Sequence, residues 1–369
     1  MTFALFFRAF MKKNIVILAV LAGAAASGIA SAQSSVTLYG LADVYVGSTT
    51  TKQSLNVGTS TFLRQSAINS GGFNGSRFGL KGFEDLGGGL KANFVLEGGY
   101  DISTGAATNY VSPYNFTGPA DARTGVTSNA TFGRNAWVGL SSGFGEIRLG
   151  NMWTPYDEVK GSGASAFDAN IFAPANNVWL SNGYQANPGS AIYFSTPTIS
   201  GFSAAGMVSF GKNETATFNA GGIGSMNVQF ASGPVALAFA YQIEKQGGET
   251  ATQPNKVKFT QLNGSYNLGA AKLLAAYGNV KVANDKVNEF QVGVDVPLGS
   301  VLTVSGGFAS SKSKPSLGGD IKRRGFGLAA KYDVSKRTFL YTGLQLAKEK
   351  DNTGETKSNT FAAGVQHKF

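Results

Sequence analysis

The sequence predicts an all-β fold, a 16-stranded antiparallel transmembrane β-barrel, on three observations. Apolar and polar residues alternate with period two in segment after segment. No stretch beyond residue 33 has the roughly 20 continuous apolar residues that a membrane-spanning helix needs. Glycine is abundant and charge is sparse, as expected for strands with a light apolar face on one side and a polar face on the other.

The composition excludes several classes of protein. Of the 369 residues, 50 are glycine and 14% are charged, whereas ordinary soluble domains have roughly 7% glycine and about 25% charged residues. The 43% hydrophobic content is too high for a disordered chain. There is no cysteine, and the single histidine, His367, is third from the end. We therefore predict no catalytic residue, no metal site and no cofactor.

The amino terminus has the pattern of a secretory signal peptide. Met11 is followed by two lysines, an apolar run at 15–26 and an Ala-Ser-Ala site at 30–32. This order predicts a true start at Met11 and cleavage after Ala32, which leaves residues 33–369 as a single domain. Three of the 31 basic residues lie in the leader, so the mature chain has 28 basic and 21 acidic residues, a net charge of +7.

Each strand is predicted from a run of alternation that ends at a cluster of Gly, Asn, Asp or Ser. In the first run, residues 36–46, even positions are apolar or small, whereas odd positions include Thr37, Tyr39 and Asp43. The predicted strands start near residues 35, 74, 89, 132, 145, 190, 201, 222, 234, 256, 270, 286, 300, 320, 337 and 358. An even number of strands is what a closed antiparallel barrel requires.

The predicted connections are short and long by turns. Tight turns at 86–89, 141–145 and 232–234 alternate with longer segments such as 101–131 and 153–189, which are rich in Asn, Gly, Ser and Thr. This asymmetry is typical of short periplasmic turns and long extracellular loops. A secreted β-sandwich also alternates, but it favours large apolar residues inside. Here the apolar face is light, and the other face carries the Thr, Ser, Gln and Asn of a water-filled lumen.

Four stretches of the chain carry a family resemblance. They read SVTLYG at 35–40, SRFGLKGFEDLGGGLKA at 76–92, AWVGL and GEIRLG at 136–140 and 145–150, and GVQHKF at 364–369. Together they resemble the general porins of Gram-negative bacteria, in the beta-proteobacterial and neisserial branch. The likeness spans the chain from Ser35 to Phe369, and its long loops contribute nothing recognisable.

The resemblance implies an outer-membrane location, a homotrimer and an aqueous pore narrowed by an inward-folded third loop. In this chain that loop is expected at 153–189, after the fifth strand. Close relatives often have Arg after Leu-Gly at the end of that strand, where this chain has Asn151. The terminal Phe369 resembles the signal by which barrel assembly machinery recognises a last strand.

The alternation also assigns charges to the pore. A basic wall is predicted from residues on the polar face, with Arg64, just before the second predicted strand, added to it: Arg64, Arg77, Lys81 and Arg148. Acids predicted on the third loop are Asp157, Glu158 and Asp168, and lumen-facing acids include Asp43, Glu97 and Asp295. By parity Arg134 points toward lipid unless it lies above the bilayer. A basic wall facing an acidic loop would create a transverse field, and the positive net charge predicts an anion preference.

The predicted function is therefore general diffusion of small hydrophilic solutes and ions, chiefly anions. A channel of the same fold that selects one organic acid or sugar stays open as the alternative. A hydrolase would need a histidine and carboxylates together at one rim, whereas His367 lies at the opposite, periplasmic end. An adhesive barrel would need a plugged lumen. The expected partners are two further copies of the chain, outer-membrane lipid and lipopolysaccharide, the assembly machinery and small anions. No exposed basic stripe indicates nucleic acid.

Overall fold

The computed structural model describes residues 35–108, 131–160, 171–211, 218–219, 221–245, 248–249, 256–315 and 319–369. The predicted signal peptide at 1–32 and the predicted site residue Asp168 lie outside these ranges. In the described part, no helix is both long and apolar enough to cross a membrane.

Sixteen antiparallel strands form one closed barrel. The sheet contains 18 hydrogen-bonded segments, which become sixteen when two halves of the second strand are joined and the two-residue segment Ala107–Thr108 is left aside. The strands are β1 (Ser35–Leu55), β2a (Ser60–Ser70) with β2b (Arg77–Gly87), β3 (Leu90–Tyr100), β4 (Asn135–Ser142), β5 (Gly145–Asn151), β6 (Ala191–Ser195), β7 (Phe202–Phe210), β8 (Gly222–Ser232), β9 (Val235–Lys245), β10 (Lys256–Asn267), β11 (Lys272–Val282), β12 (Asp285–Leu298), β13 (Leu302–Lys314), β14 (Ile321–Asp333), β15 (Thr338–Lys350) and β16 (Gly354–Lys368). Two short pieces, Phe218–Asn219 and Gly248–Glu249, pair with each other outside the wall.

The first and last strands close the barrel. β1 pairs with β16 from Leu41 to Leu55 and with β2b from Ser35 to Leu41. The backbones of Gly40 and Phe369 exchange two hydrogen bonds of 3.1 Å. Glycine at position 40 allows this close approach, because a Cβ there would lie 2.7 Å from the carbonyl oxygen of Arg77. The terminal residue is thus part of the closing seam.

The second strand begins at Ser60, earlier than the expected start near 74, because it is interrupted. β2a is exposed on both faces, so its sequence lacks the alternation of a half-buried strand. Residues 71–76 then turn toward the barrel interior. The fully buried Asp43 carboxylate accepts hydrogen bonds from the backbone N–H groups of Gly72, Phe73 and Asn74, and from the Tyr341 hydroxyl.

The two faces of the wall differ as the alternation predicts. The outward positions carry exposed apolar side chains, among them Leu38, Val46 and Phe361. The inward positions carry small or polar residues, or residues covered by the third loop. This pattern gives the barrel an apolar outer surface and a polar interior, as in membrane-spanning barrels.

The predicted alternation of short turns at one rim with long loops at the other holds only in part. Three connections on the side of the long loops, at 56–59, 283–284 and 351–353, are tight. Asp351 holds one of them by accepting the backbone N–H groups of Thr353 and Gly354. Ala283 turns another with a φ of 49°. Side-chain caps and left-handed residues close these hairpins as efficiently as the glycine turns at the opposite rim.

Candidate functional site

The structure describes the connection between β5 and β6 at 152–160 and 171–190, and both of these parts fold into the barrel. The connection contains the short helix α1 (Pro155–Lys160) and a 3₁₀ turn at Leu180–Gly183. Tyr156 and Val159 of α1 are fully buried against the inward residues Ala240 and Phe259 of the wall. The expected inward-folded third loop, hereafter loop 3, is confirmed.

Glycines in the wall let the backbone of loop 3 approach closely. A Cβ at Gly325 would lie 2.2 Å from the carbonyl oxygen of Pro174, and one at Gly327 would lie 2.0 Å from that of Phe172. Real Cβ atoms do not come within 3.0 Å of such atoms. The glycine positions of β14 therefore set how far loop 3 stands from the wall.

Buried carboxylates of the wall hold the second half of loop 3. Glu289 accepts the N–H groups of Leu180 and Ser181 at 2.6 and 3.0 Å. Glu244 accepts the N–H of Gln185 at 2.6 Å. Each buried acceptor that finds a donor avoids a desolvation penalty of about 1–3 kcal/mol, and more for a charged group. These contacts therefore fix the loop to the strands.

The predicted loop acids Asp157 and Glu158 serve as further anchors. The Tyr184 hydroxyl donates to Asp157. Glu158 accepts hydrogen bonds from the Tyr193 hydroxyl at 2.8 Å and the Asn227 amide at 3.0 Å, both on the wall. Burial raises the pKa of the Glu158 carboxyl above its ordinary value, although these hydrogen bonds and the nearby Arg148 oppose the shift.

Arg148 lies on the lumen face of β5. Its guanidinium forms an ion pair with Glu146 and stacks over the rings of Trp137 and Tyr193, at 4.6 and 4.8 Å from the centroids. Stacking on two aromatic faces restricts the motion of the guanidinium. About a quarter of its side chain remains exposed (25%), so part of this fixed charge faces the pore.

A second basic cluster surrounds Glu97. Its carboxylate contacts the Nε atoms of Arg134 at 2.8 Å and Arg77 at 3.6 Å, and it accepts the Tyr39 hydroxyl at 3.0 Å. The prediction that Arg134 points toward lipid is wrong. Arg134 precedes the first residue of β4, Asn135, so strand alternation does not govern its side chain.

Lys81 shares the inward face of β2b with Arg77. Its ammonium lies 5.2 Å from the centroid of the Tyr39 ring, and its side chain is exposed. Along the strand, Lys81 is closer than Arg77 to the tight turn between β2b and β3. The structure thus brings Arg77, Arg134 and Lys81 together around Tyr39 and Glu97.

Arg64 does not belong to this wall, and the sequence-based expectation is corrected. In β2a it lies opposite Thr50, and its Nε donates to the Ser48 hydroxyl at 3.3 Å. Cross-strand partners share a face, and this face carries Val46 and Ile68, which are 61% and 64% exposed. The error arises because β2a is polar enough on both faces to hide its orientation.

Comparison with known proteins now identifies the architecture. A family model of the Gram-negative porin matches residues 18–352. The chain belongs to the Gram-negative porin family. It is 33% identical to outer membrane porin protein 32 of Delftia acidovorans, over 96% of this chain and 95% of that one. Its place is accordingly the outer membrane.

Solved structures agree with this assignment. An anion-selective porin from Comamonas acidovorans has a TM-score of 0.69 and 26% identity, covering 91% of this chain and 100% of that one. OmpT of Vibrio cholerae in its trimer form has a TM-score of 0.63 at 16% identity, covering 91% of this chain and 99% of that chain, which shows the fold alone.

The sequence predicts a basic wall that faces an acidic loop across the pore, and the charges in the porin's interior are arranged differently. Tyr193 lies beneath the Arg148 guanidinium and donates to Glu158, so a loop acid and a wall arginine are neighbours. Among the residues that the structure describes, no group of three or more His, Asp or Glu could hold a metal ion.

Two functional residues of the porin escape sequence reasoning, Glu244 and Glu289. Glu244 follows Ala240 and Gln242 on the inward face of β9, and Glu289 lies between Val287 and Gln291 on the inward face of β12. An isolated acid at such a position is the signal that would have found them, because a buried carboxylate needs donors from elsewhere. What the sequence does not show is that loop 3 supplies them.

Proposed function

We propose that this porin is a general-diffusion channel for small hydrophilic solutes and ions with a preference for anions. The observation that carries the proposal is the excess of fixed positive charge at the narrowed part of the lumen. Among the residues that the structure describes, three arginines, Arg77, Arg134 and Arg148, form ion pairs with two wall carboxylates, Glu97 and Glu146. Lys81 adds a further cation on the same side.

The two loop acids that the structure describes, Asp157 and Glu158, do not offset this excess from across the pore. Asp157 and Glu158 use their oxygens to accept from hydroxyl and amide donors, and burial disfavours the ionised form of Glu158. Conduction of anions requires no chemical step. It needs a hydrated path and fixed cations that attract an anion without holding it. The similarity to the anion-selective porin of Comamonas acidovorans supports this proposal.

Reversal potentials test the preference. The purified protein is inserted into a planar bilayer under a KCl gradient, and the expected potential favours chloride. Arg148→Gln should weaken that preference, whereas Arg64→Gln, which removes the same charge from the outer face, should leave it unchanged. A cation-favouring wild-type channel would overturn the proposal. A block of conductance by one acid or sugar at low concentration would favour a substrate-selective channel instead.

We also propose that three copies assemble through one half of the outer surface. At the outward positions of β3–β8 there is no Lys or Arg, which suits contact with another subunit rather than lipid phosphate. The assembly machinery would engage β16 through Phe369. Cross-linking and unheated gel electrophoresis of the outer-membrane fraction should give a trimer, and a monomer throughout would contradict this.

A further inference from the structure

A turn in the second strand lies inside the barrel and touches loop 3. Residues 71–76, hereafter the inward turn, join β2a to β2b. The carbonyl oxygen of Gly72 accepts the backbone N–H of Ile171 at 2.9 Å. Ile171 is the first residue of the second described part of loop 3. The inward turn therefore supports loop 3 at the point where that part begins.

Aromatic packing joins the same two segments. The ring centroid of Tyr341, on β15, lies 5.7 Å from that of Phe73 in the inward turn and 6.2 Å from that of Phe172 in loop 3. Phe73 also meets Phe339 edge to face at 4.9 Å. Aromatic pairs at these separations stabilise more than their buried area alone accounts for. Because Tyr341 contacts both segments, a displacement of the inward turn would loosen the packing around loop 3.

The first strand fixes the inward turn. The backbone oxygen of Asp43 accepts the N–H of Gly71 at 2.9 Å, and its carboxylate accepts the N–H groups of residues 72–74. The Ser76 hydroxyl donates to the backbone oxygen of Asp43 at 3.1 Å and accepts its N–H at 3.0 Å. Gly71 has a φ of 77°, which glycine adopts without strain. Both ends of the turn are thus tied to one residue of β1.

The last strand holds the inward turn as well. The Asn74 side-chain amide donates to the side-chain oxygen of Gln366, on β16, at 2.7 Å. Gln366 is fully buried, and it lies directly opposite Asp43 in the pairing of β1 with β16. Cross-strand partners share a face. The two residues that hold the turn therefore stand side by side across the closing seam, and both point inward.

We propose that Asp43 and Asn74 are positioning residues for loop 3, which make its place in the pore depend on the closed seam between β1 and β16. A closed seam in the correct register presents Asp43 and Gln366 together to the inward turn. A slip of one residue would move Gln366 to the outer face, and the turn would lose its bond to β16. This inference concerns where loop 3 stands and does not depend on which ions the pore prefers.

Single-channel recording tests the link. A neutral hydrogen bond of ordinary strength shifts an equilibrium by about fivefold. In Asn74→Ala, loop 3 should therefore spend about five times longer displaced, which appears as brief sublevels of the open-channel current. Gln366→Met, which keeps the side-chain volume but cannot accept the Asn74 amide, should have the same effect. The double variant should show no more than either single variant, because all three lose the same bond.

A chemical label gives a second readout that does not need conduction. The natural chain has no cysteine, so Ile171→Cys places a single thiol beside the inward turn. The folded protein in detergent is treated with a water-soluble thiol reagent, and mass spectrometry follows the labelling. Adding Asn74→Ala to Ile171→Cys should accelerate labelling by about fivefold, because the thiol reacts when loop 3 leaves the turn.

Asn56→Ala is the matched control. The Asn56 amide donates to the carbonyl oxygen of Asn352, also at 2.7 Å, and so links the connection after β1 to the connection before β16. The control removes an amide hydrogen bond of equal length across the same seam, but at the exposed extracellular rim. It should leave both the sublevels and the labelling of Ile171→Cys unchanged. Heat-modified gel mobility verifies that each variant is folded.

Three results would overturn the inference. The first is wild-type sublevels and unaltered labelling in folded Asn74→Ala protein. The second is an equal effect of Asn56→Ala, which would mean that a weakened seam disturbs loop 3 without the inward turn. The third is a double variant in which the effects of Asn74→Ala and Gln366→Met add, since the two residues would then act separately.

Discussion

Gly327 should control the width of the pore. In Gly327→Ala the new methyl would lie 2.0 Å from the carbonyl oxygen of Phe172 in loop 3, whereas ordinary contacts begin at 3.4 Å. Wall and loop must therefore separate by about 1.4 Å, the difference between these two distances. Loop 3 lies between β14 and the pore axis, so the shift narrows the aqueous path. We expect a lower single-channel conductance and a smaller size limit for sugars in liposome swelling.

The variant should also lose stability. Overpacking of a tight contact costs about 1–3 kcal/mol, which a lower thermal midpoint would reveal. Gly306→Ala is the matched control, because that glycine lies on the outward face of the neighbouring strand and its added methyl would meet its nearest atom at 3.6 Å. Unchanged conductance and sugar exclusion in a folded Gly327→Ala protein would refute the reasoning, as would an equal effect of the control.

Three further outcomes are expected. Glu289→Ala removes the acceptor of two loop N–H groups, so channel noise should rise and stability should fall by about 1–3 kcal/mol; a quiet, wild-type-like trace would count against this anchor. Because burial raises the pKa of Glu158, its contribution to stability is complete below its ordinary pKa and is lost as the pH rises through the raised value. Glu158→Gln should therefore flatten the dependence of the thermal midpoint on pH above the ordinary pKa of a glutamate, and an unaltered pH profile would reject this role. Asp43→Ala leaves three N–H groups of residues 72–74 without their acceptor, so protease cleavage within 71–76 should accelerate relative to Asp295→Ala.

Alternation predicted the barrel because each strand has lipid on one side and water or loop 3 on the other. Under that constraint parity fixes orientation, and Arg77 and Arg148 lie on the inward face as expected. The same reasoning failed for Arg64, where both faces of β2a are exposed. It failed for Arg134 because the residue precedes its strand.

The partners of the predicted site residues were beyond sequence reasoning. Parity places a residue on a face, but it does not say which loop covers that face. Asp157 and Glu158 were expected to line the pore, and their hydroxyl and amide partners come from Tyr184, Tyr193 and Asn227, which are distant in the chain. Those contacts depend on the path of loop 3, which no local pattern encodes.

The seam between Gly40 and Phe369 limits the order in which the barrel can form. Residues that are almost the whole chain apart must meet before the last pair of strands is complete. Until then β1 and β16 are open edges, and open edges recruit other strands. Closure thus cannot begin while the chain is being synthesised, and a contact of such long range is slow to form. A chain of this design needs its two edges kept apart from other chains until β16 is available to pair with β1.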